Sequence, residues 1–203
     1  GAIMLGPNMF LPVFSQSVLG LGAIGAGFVL ASMSLGWPIA SALSGRVYLK
    51  IGFRNTAIIG TVVIVLSALG FIFLPADAPI WVYVVNQALL GGGFGFLSTP
   101  NLVGIQSIVP WNKRGVVTGA NMFSRYLGQT VGAAIIGGVF NSSLGNYLNL
   151  APSAFRSELP KVNDVIDVLK SRSTPGPIEE YLRHSFYLAT HHVYLVMAII
   201  GVL

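Results

Sequence analysis

The chain contains no cysteine in its 203 residues, which excludes disulfides and thiolate metal sites. Charge is almost as scarce. Asp, Glu, Lys and Arg make up 8% of the residues, against about 25% in soluble domains. With 54% of residues hydrophobic and a mean hydropathy of +0.76, too little polar surface exists to coat a soluble globule of this length. Acids number six, and none falls inside a long apolar run. The short alternating segments of a membrane β-barrel are also missing, because the apolar runs are continuous and about 20 residues long. The fold class these absences leave is all-α, a polytopic transmembrane helical bundle. Enzyme signatures are lacking too: there is no metal-spaced His/acid cluster, no nucleophile elbow and no phosphate loop. The glycine-rich Gly91–Phe96 sits inside an apolar run, not between a strand and a helix. The net charge of +5 does not point to nucleic acid, because the cations cluster in the loops between apolar runs.

What is present is organised around KRGVVTGANMFSRYLGQTVGAAIIGGVF, Lys113 to Phe140. After two cations it carries one charge, Arg125, roughly 18 Å along a helix from Lys113 and so past the middle of a ~30 Å hydrocarbon core. At ~100° per residue, Asn121, Arg125, Gly128 and Gly132 share a narrow stripe, and Phe123, Leu127, Val131 and Ala134 fall on or near the opposite side. A guanidinium in hydrocarbon costs at least ~2.5–3.5 kcal/mol. The stripe is therefore expected to meet other helices or a wet cavity, and the greasy face to meet lipid.

Taken in order, residues 1–140 read as five transmembrane spans. The first is truncated at its start and runs to about Phe14. The others cover about Gly22–Ser44, Thr56–Leu74, Ile80–Thr99 and the stretch just described, with a loop from Pro100 to Asn112. Residues 141–185 form a polar segment in which Val162, Val165, Ile166 and Leu169 recur at helical spacing. That pattern predicts a short amphipathic helix that lies along the membrane surface or caps the bundle. Pro177, Glu179 and Glu180 mark a helix start leading into a sixth span, 186–203. Both ends of the chain lie inside apolar runs, which predicts a piece of a larger protein. Arg46, Lys50, Arg54, Lys113 and Arg114 fall in two loops on one side, which the positive-inside rule makes cytoplasmic. Asp77 lies on the other side, and the 141–185 segment, extracytoplasmic on this reading, balances cations such as Arg172 against acids. Gly91–Gly95, Gly115–Gly119 and Gly128–Gly132 have the GxxxG spacing that lets helices approach closely.

The turn Gly45-Arg46-Val47-Tyr48-Leu49-Lys50-Ile51-Gly52-Phe53-Arg54 resembles the loop motif of the major facilitator superfamily, two glycines seven apart with cations around the second. Gly45, Lys50, Gly52 and Arg54 match it. Leu49 stands where the better-preserved copy has Asp, as in the second half of such proteins. FLPVFSQSVLGLGAIGAGF, NLVGIQSIVP and RGVVTGANMFSRYLGQTVGAAIIGGVF are similar to the fourteen-helix drug:proton antiporter branch. The resemblance implies most of a C-terminal six-helix half of a multi-pass cell-membrane exporter. Such an exporter works by alternating access and uses the proton gradient, with no cofactor, to expel small amphipathic compounds. Its partners would be the bilayer, the substrate and the N-terminal helices of the same protein. No acid lies within any span, so proton-carrying carboxylates are expected in the other half.

Individual side chains keep two readings each. Arg125 is a cavity charge coupled to substrate or proton, or a strut bonded to carbonyls between helices. Gln16, Asn86, Gln87 and Asn121 line the cavity or tie helices together. Gly45, Arg46, Lys50, Gly52 and Arg54 form a conformational latch or simply set topology. Gln106 reads as structural. His191 and His192 read as solvated at an interface, and Trp37, Trp81 and Tyr83 as interface or packing aromatics. An exporter of one dedicated metabolite, such as an antibiotic or siderophore, remains an alternative, as does a non-transporting membrane scaffold.

Overall fold

Among the described residues the secondary structure is entirely helical, in seven α-helices and two 3-10 turns. The structure, a computed structural model, describes residues 2–75, 78–153, 155–171 and 176–202. Asp77 and Arg172 lie outside the described residues. The helices are α1 (Ala2–Ser17), α2 (Ala23–Ile51), α3 (Phe53–Phe73), α4 (Ile80–Ser107), α5 (Arg114–Asn149), α6 (Val165–Ser171) and α7 (Pro177–Val202). The 3-10 turns are Trp111–Lys113 and Arg156–Glu158. By length and composition α2, α3 and α4 can each cross a membrane. At 36 residues α5 is also long enough, but its polar stripe dilutes its apolar character.

The helices outrun the apolar runs that announce them. Residues 45–51, expected as a charged turn, continue α2, and the chain breaks at Gly52 alone. Gly52 has φ 85° and ψ 163°, a backbone region open essentially to glycine. Residues 100–107, expected as a loop, continue α4, with Pro100 inside the helix. Residues 141–149, expected as the start of the polar segment beyond the span, continue α5. The physical reason is the same in all three. Hydropathy reports the thickness of hydrocarbon, whereas helix ends are set by local breakers, and in GRVYLKI and NSSLGNYLN the glycines Gly45 and Gly145 keep helical backbone. Proline inside α4 is tolerated because neighbouring helices can satisfy the carbonyl it frees.

The bundle is built around α4, which lies between α2 and α3 at glycine contacts. A Cβ built on Gly95 would fall 2.6 Å from the Trp37 carbonyl oxygen and 2.7 Å from Ser41 N, and one on Gly60 would fall 2.6 Å from Leu97 N. Gly91 meets the Met33 carbonyl and Gly36 the Ala88 carbonyl in the same way. The second group is α1, α5 and α7. Here α7 runs antiparallel to α1, with Met197 against Gly6 and Tyr187 beside Phe14. Phe14, Phe71, Tyr83, Leu90, Ile136, Phe186 and Met197 form the buried centre. Val165 and Leu169 of α6 are buried against this group, so the amphipathic segment caps the bundle. Outward-facing apolar side chains are abundant. Phe28 and Ile39 on α2, Leu66 and Phe73 on α3, and Phe123 and Leu127 on α5 are all exposed. A belt of that extent marks a surface made for an apolar environment.

Candidate functional site

The polar stripe of α5 turns inward. Phe123 and Leu127 are 68% and 53% exposed, while Asn121, Arg125 and Gly128 are half-buried and Gly132 is buried. The Arg125 guanidinium lies over the Trp37 ring of α2, with Cζ 4.8 Å from the centroid. Trp37 in turn stacks on Phe94 of α4, at 5.6 Å and 25°. Cation, indole and phenyl thus form a three-layer stack across α5, α2 and α4. From α1, the Met4 thioether accepts from Arg125 Nη2 at 3.5 Å and from Gln129 Nε2 at 3.2 Å. Four helices therefore converge on one cation.

Beside the stack is a cavity of about 420 Å³, lined by Met4, Trp37, Phe94, Leu97, Ser98, Thr99, Asn101, Leu102, Val103, Asn121, Met122, Ser124 and Arg125. Its wall mixes aromatic and thioether surface with hydroxyls and amides, and it contains no carboxylate. Gln106 Nε2 donates to Thr118 Oγ1 at 2.7 Å and joins α4 to α5. Such a cavity can hold an amphipathic molecule against the aromatic rings. Among the described residues it presents one fixed positive charge, with no acidic counter-ion on its wall.

The other residues singled out by sequence are dispersed. Asn121 shares the cavity with Arg125. Gln16 is half-buried near the far end of α1, twelve residues and roughly 18 Å from Met4. Asn86 Nδ2 donates to the Ser67 carbonyl at 3.0 Å and ties α4 to α3. It also edges an outward-facing apolar recess with Phe73 and Trp81, away from Arg125. Gln87 is fully buried, and neither of its amide atoms has a partner. Of the loop motif, Gly45, Arg46 and Lys50 are helical, and Arg54 is exposed in the first turn of α3. Gly91 and Gly95 lie at the α2–α4 contact, whereas Gly115 and Gly119 face open space.

Trp37 packs on Phe94 and is also the platform of the half-buried cation, which sequence could not show because Arg125 lies 88 positions away on another helix. The imidazole reading needs correction. His191 is half-buried with a hidden, unpartnered Nε2, and only His192 is exposed. Adjacent helical residues point ~100° apart, so a sequence pair need not share an environment.

A family model described as the Major Facilitator Superfamily matches residues 1–133. The multidrug transporter protein MdtP of Bacillus subtilis (strain 168) is 27% identical over 190 residues, 87% of this chain and 35% of that protein. Multidrug resistance protein 3 of the same organism is 32% identical over 150 residues, 73% of this chain and 29% of that protein. A tetracycline resistance determinant of Streptomyces rimosus is 29% identical over 152 residues, 74% of this chain and 44% of that protein. The chain thus spans less than half the length of each of these relatives.

Proposed function

Because the chain belongs to the Major Facilitator Superfamily, we propose that it forms most of the C-terminal six-helix half of a proton-coupled exporter of amphipathic compounds, of the fourteen-helix drug:proton antiporter type. The observation that carries this reading is Arg125 on Trp37 beside a cavity of about 420 Å³. Superfamily transporters work by rocking one bundle against another around a central site. A cation held by an aromatic ring and a thioether, rather than by an acid, is free to engage an acidic group from the opposing bundle or an anionic part of the substrate. Trp37, Phe94 and Met122 supply apolar contact for a lipophilic body, and Asn101, Asn121 and Ser98 supply polar contact. The names of two relatives, both multidrug proteins, support a broad substrate range. The protein would then lie in the cell membrane, in contact with lipid and with the preceding helices of its own chain.

A narrower reading, export of a single compound class, draws on the tetracycline resistance determinant. One experiment addresses both. Everted membrane vesicles carrying the full-length protein are energised and tested for uptake of a panel of lipophilic cations and of tetracycline. Proton-gradient-dependent uptake of several chemically unrelated cations supports the broad reading. Uptake of one compound class supports the narrow one. Uptake of none rejects the exporter.

A further inference from the structure

Arg125 is held by groups that leave most of its donors unused. Its Nη2 donates to the Met4 thioether at 3.5 Å, and its Cζ lies 4.8 Å from the Trp37 ring centroid. Sulfur is a weak acceptor, and a ring face attracts a cation without offering an oxygen lone pair. A guanidinium carries five N–H donors in a planar fork. Among the described residues none of them reaches an oxygen. No Arg125 nitrogen is both buried and unpartnered. The unused donors are therefore accessible, and Arg125 is part of the wall of the cavity of about 420 Å³.

Among the described residues no acid can come to it. Five of the six acids lie between positions 158 and 180, and the sixth is Asp77. Glu179 and Glu180 are in the first turn of α7, where Glu179 is already paired with Arg183 at 2.8 Å. That turn is fixed at the far end of α5, because Tyr181 Oη donates to the Tyr147 carbonyl at 2.6 Å. Arg125 lies 22 residues before Tyr147, roughly 33 Å along the helix. Glu158, Asp164 and Asp167 belong to the segment that follows the same end of α5. There Val162 comes within 3.6 Å of a Cβ built on Gly145, roughly 30 Å along α5 from Arg125.

The wall around the cation offers donors and flat apolar surface together. Asn121 stands one turn before Arg125 on the same face of α5, and Asn101 comes from α4. Neither amide is hydrogen-bonded to another of the described residues. Trp37 and Phe94 are stacked at 5.6 Å, and Met122 adds thioether surface. A carboxylate side chain from an opposing helix would satisfy the guanidinium, yet it would leave the aromatic part of the cavity unfilled. The volume is within the range of small-molecule sites. A ligand with an anionic head and a flat apolar body matches both parts of the wall. A cationic head in the same place meets a like charge.

We propose that Arg125, with Asn101 and Asn121, forms a subsite for the anionic group of a bound compound, and that the class it favours is an aromatic carboxylate. The carboxylate takes paired N–H groups of the guanidinium, and the aromatic body lies against Trp37 and Phe94. Its role in transport rests on the exporter reading, within which the subsite sorts amphipathic compounds by the sign of their charge. A lipophilic cation then has to find its counter-charge on helices other than these. Binding at the subsite does not depend on that reading.

The test uses three probes that share a naphthyl body and differ at the end of a short chain: 2-naphthylacetate, 2-naphthylethanol and 2-naphthylethylamine. Their affinities for the full-length protein in dodecylmaltoside micelles at pH 7 are measured by isothermal titration calorimetry, with protein-free micelles subtracted. The acetate should bind roughly 10- to 100-fold more tightly than the alcohol, the range that a hydrogen bond to a charged group supplies. The amine should bind no more tightly than the alcohol. Arg125→Gln should bring the acetate down to the alcohol while leaving the alcohol unchanged, whereas loss of a merely structural arginine would weaken both together. Arg125→Lys, a charge without the fork, should keep only part of the preference. Equal affinities of the three probes for the wild type overturn the subsite, and are the result expected if an acid from an opposing helix already occupies Arg125. Tightest binding of the amine overturns it too, as does a preference for the acetate that survives in Arg125→Gln. Should Arg125→Gln not fold, the wild-type ratio and Arg125→Lys still decide. Everted vesicles that export nothing reject the exporter and leave the probe affinities to decide the subsite.

Discussion

Replacing Gly95 by Ala tests the packing that positions the cavity. The added Cβ would lie 2.6 Å from the Trp37 carbonyl oxygen and 2.7 Å from both Ala40 Cβ and Ser41 N. The closest approach is about 0.8 Å short of the 3.4 Å at which ordinary contact begins. Two of the three atoms are backbone in the middle of α2, so no side chain can rotate away and α2 must separate from α4. Overpacking of this kind costs ~1–3 kcal/mol. Alanine also gains up to ~1 kcal/mol of helix propensity over glycine, which would mask part of the loss. Gly92→Ala removes that ambiguity. It gains the same propensity, but its Cβ would meet Ala40 Cβ at an ordinary 3.9 Å. Unfolding both variants of the full-length protein in mixed micelles by SDS should therefore place Gly95→Ala ~1–3 kcal/mol below Gly92→Ala. The displaced backbone belongs to Trp37, so Gly95→Ala should also weaken binding of a lipophilic cation while Gly92→Ala leaves it unchanged. Equal stability of the two variants would refute the close approach of α2 and α4.

Three further outcomes follow from the geometry. Arg125→Lys keeps the charge but loses the planar group that lies on Trp37; with a cation–π contact worth ~0.5–2 kcal/mol, export in everted vesicles should fall roughly 2- to 30-fold, and Arg125→Ala should fall further. Gly52→Ala forces a side chain into φ 85°, ψ 163°, and should cost ~1–3 kcal/mol in the same SDS unfolding assay, whereas Gly45→Ala, within α2, should cost nothing. Asn86→Ala removes the bond to the Ser67 carbonyl and should lower stability by only ~0.6 kcal/mol, with the export rate unchanged.

The sequence carries directions better than partners. The 3.6-residue period of α5 identifies the inward face of Arg125 and the outward face of Phe123 and Leu127, because periodicity is a property of a single helix. It cannot name Trp37 or Met4, which reach Arg125 only once α1 and α2 have packed. Helix ends fail for a related reason. Apolar runs measure the bilayer, and the residues that carry α2 to Ile51, α4 to Ser107 and α5 to Asn149 are polar enough to leave it while keeping helical backbone. His191 and His192 combine both limits. Adjacency in sequence suggested one shared environment, yet one ring lies on Tyr187 of its own helix and the other on Tyr147 of α5. The spacing 184, 187, 191, 194 was legible as one helical face. What distinguishes its two ends is the gradient from exposed His184 to buried Tyr194, and that gradient depends on α1 and α3 closing over the inner end. The burial of a ring on α7 is therefore set by the helices packed against it rather than by its own sequence context.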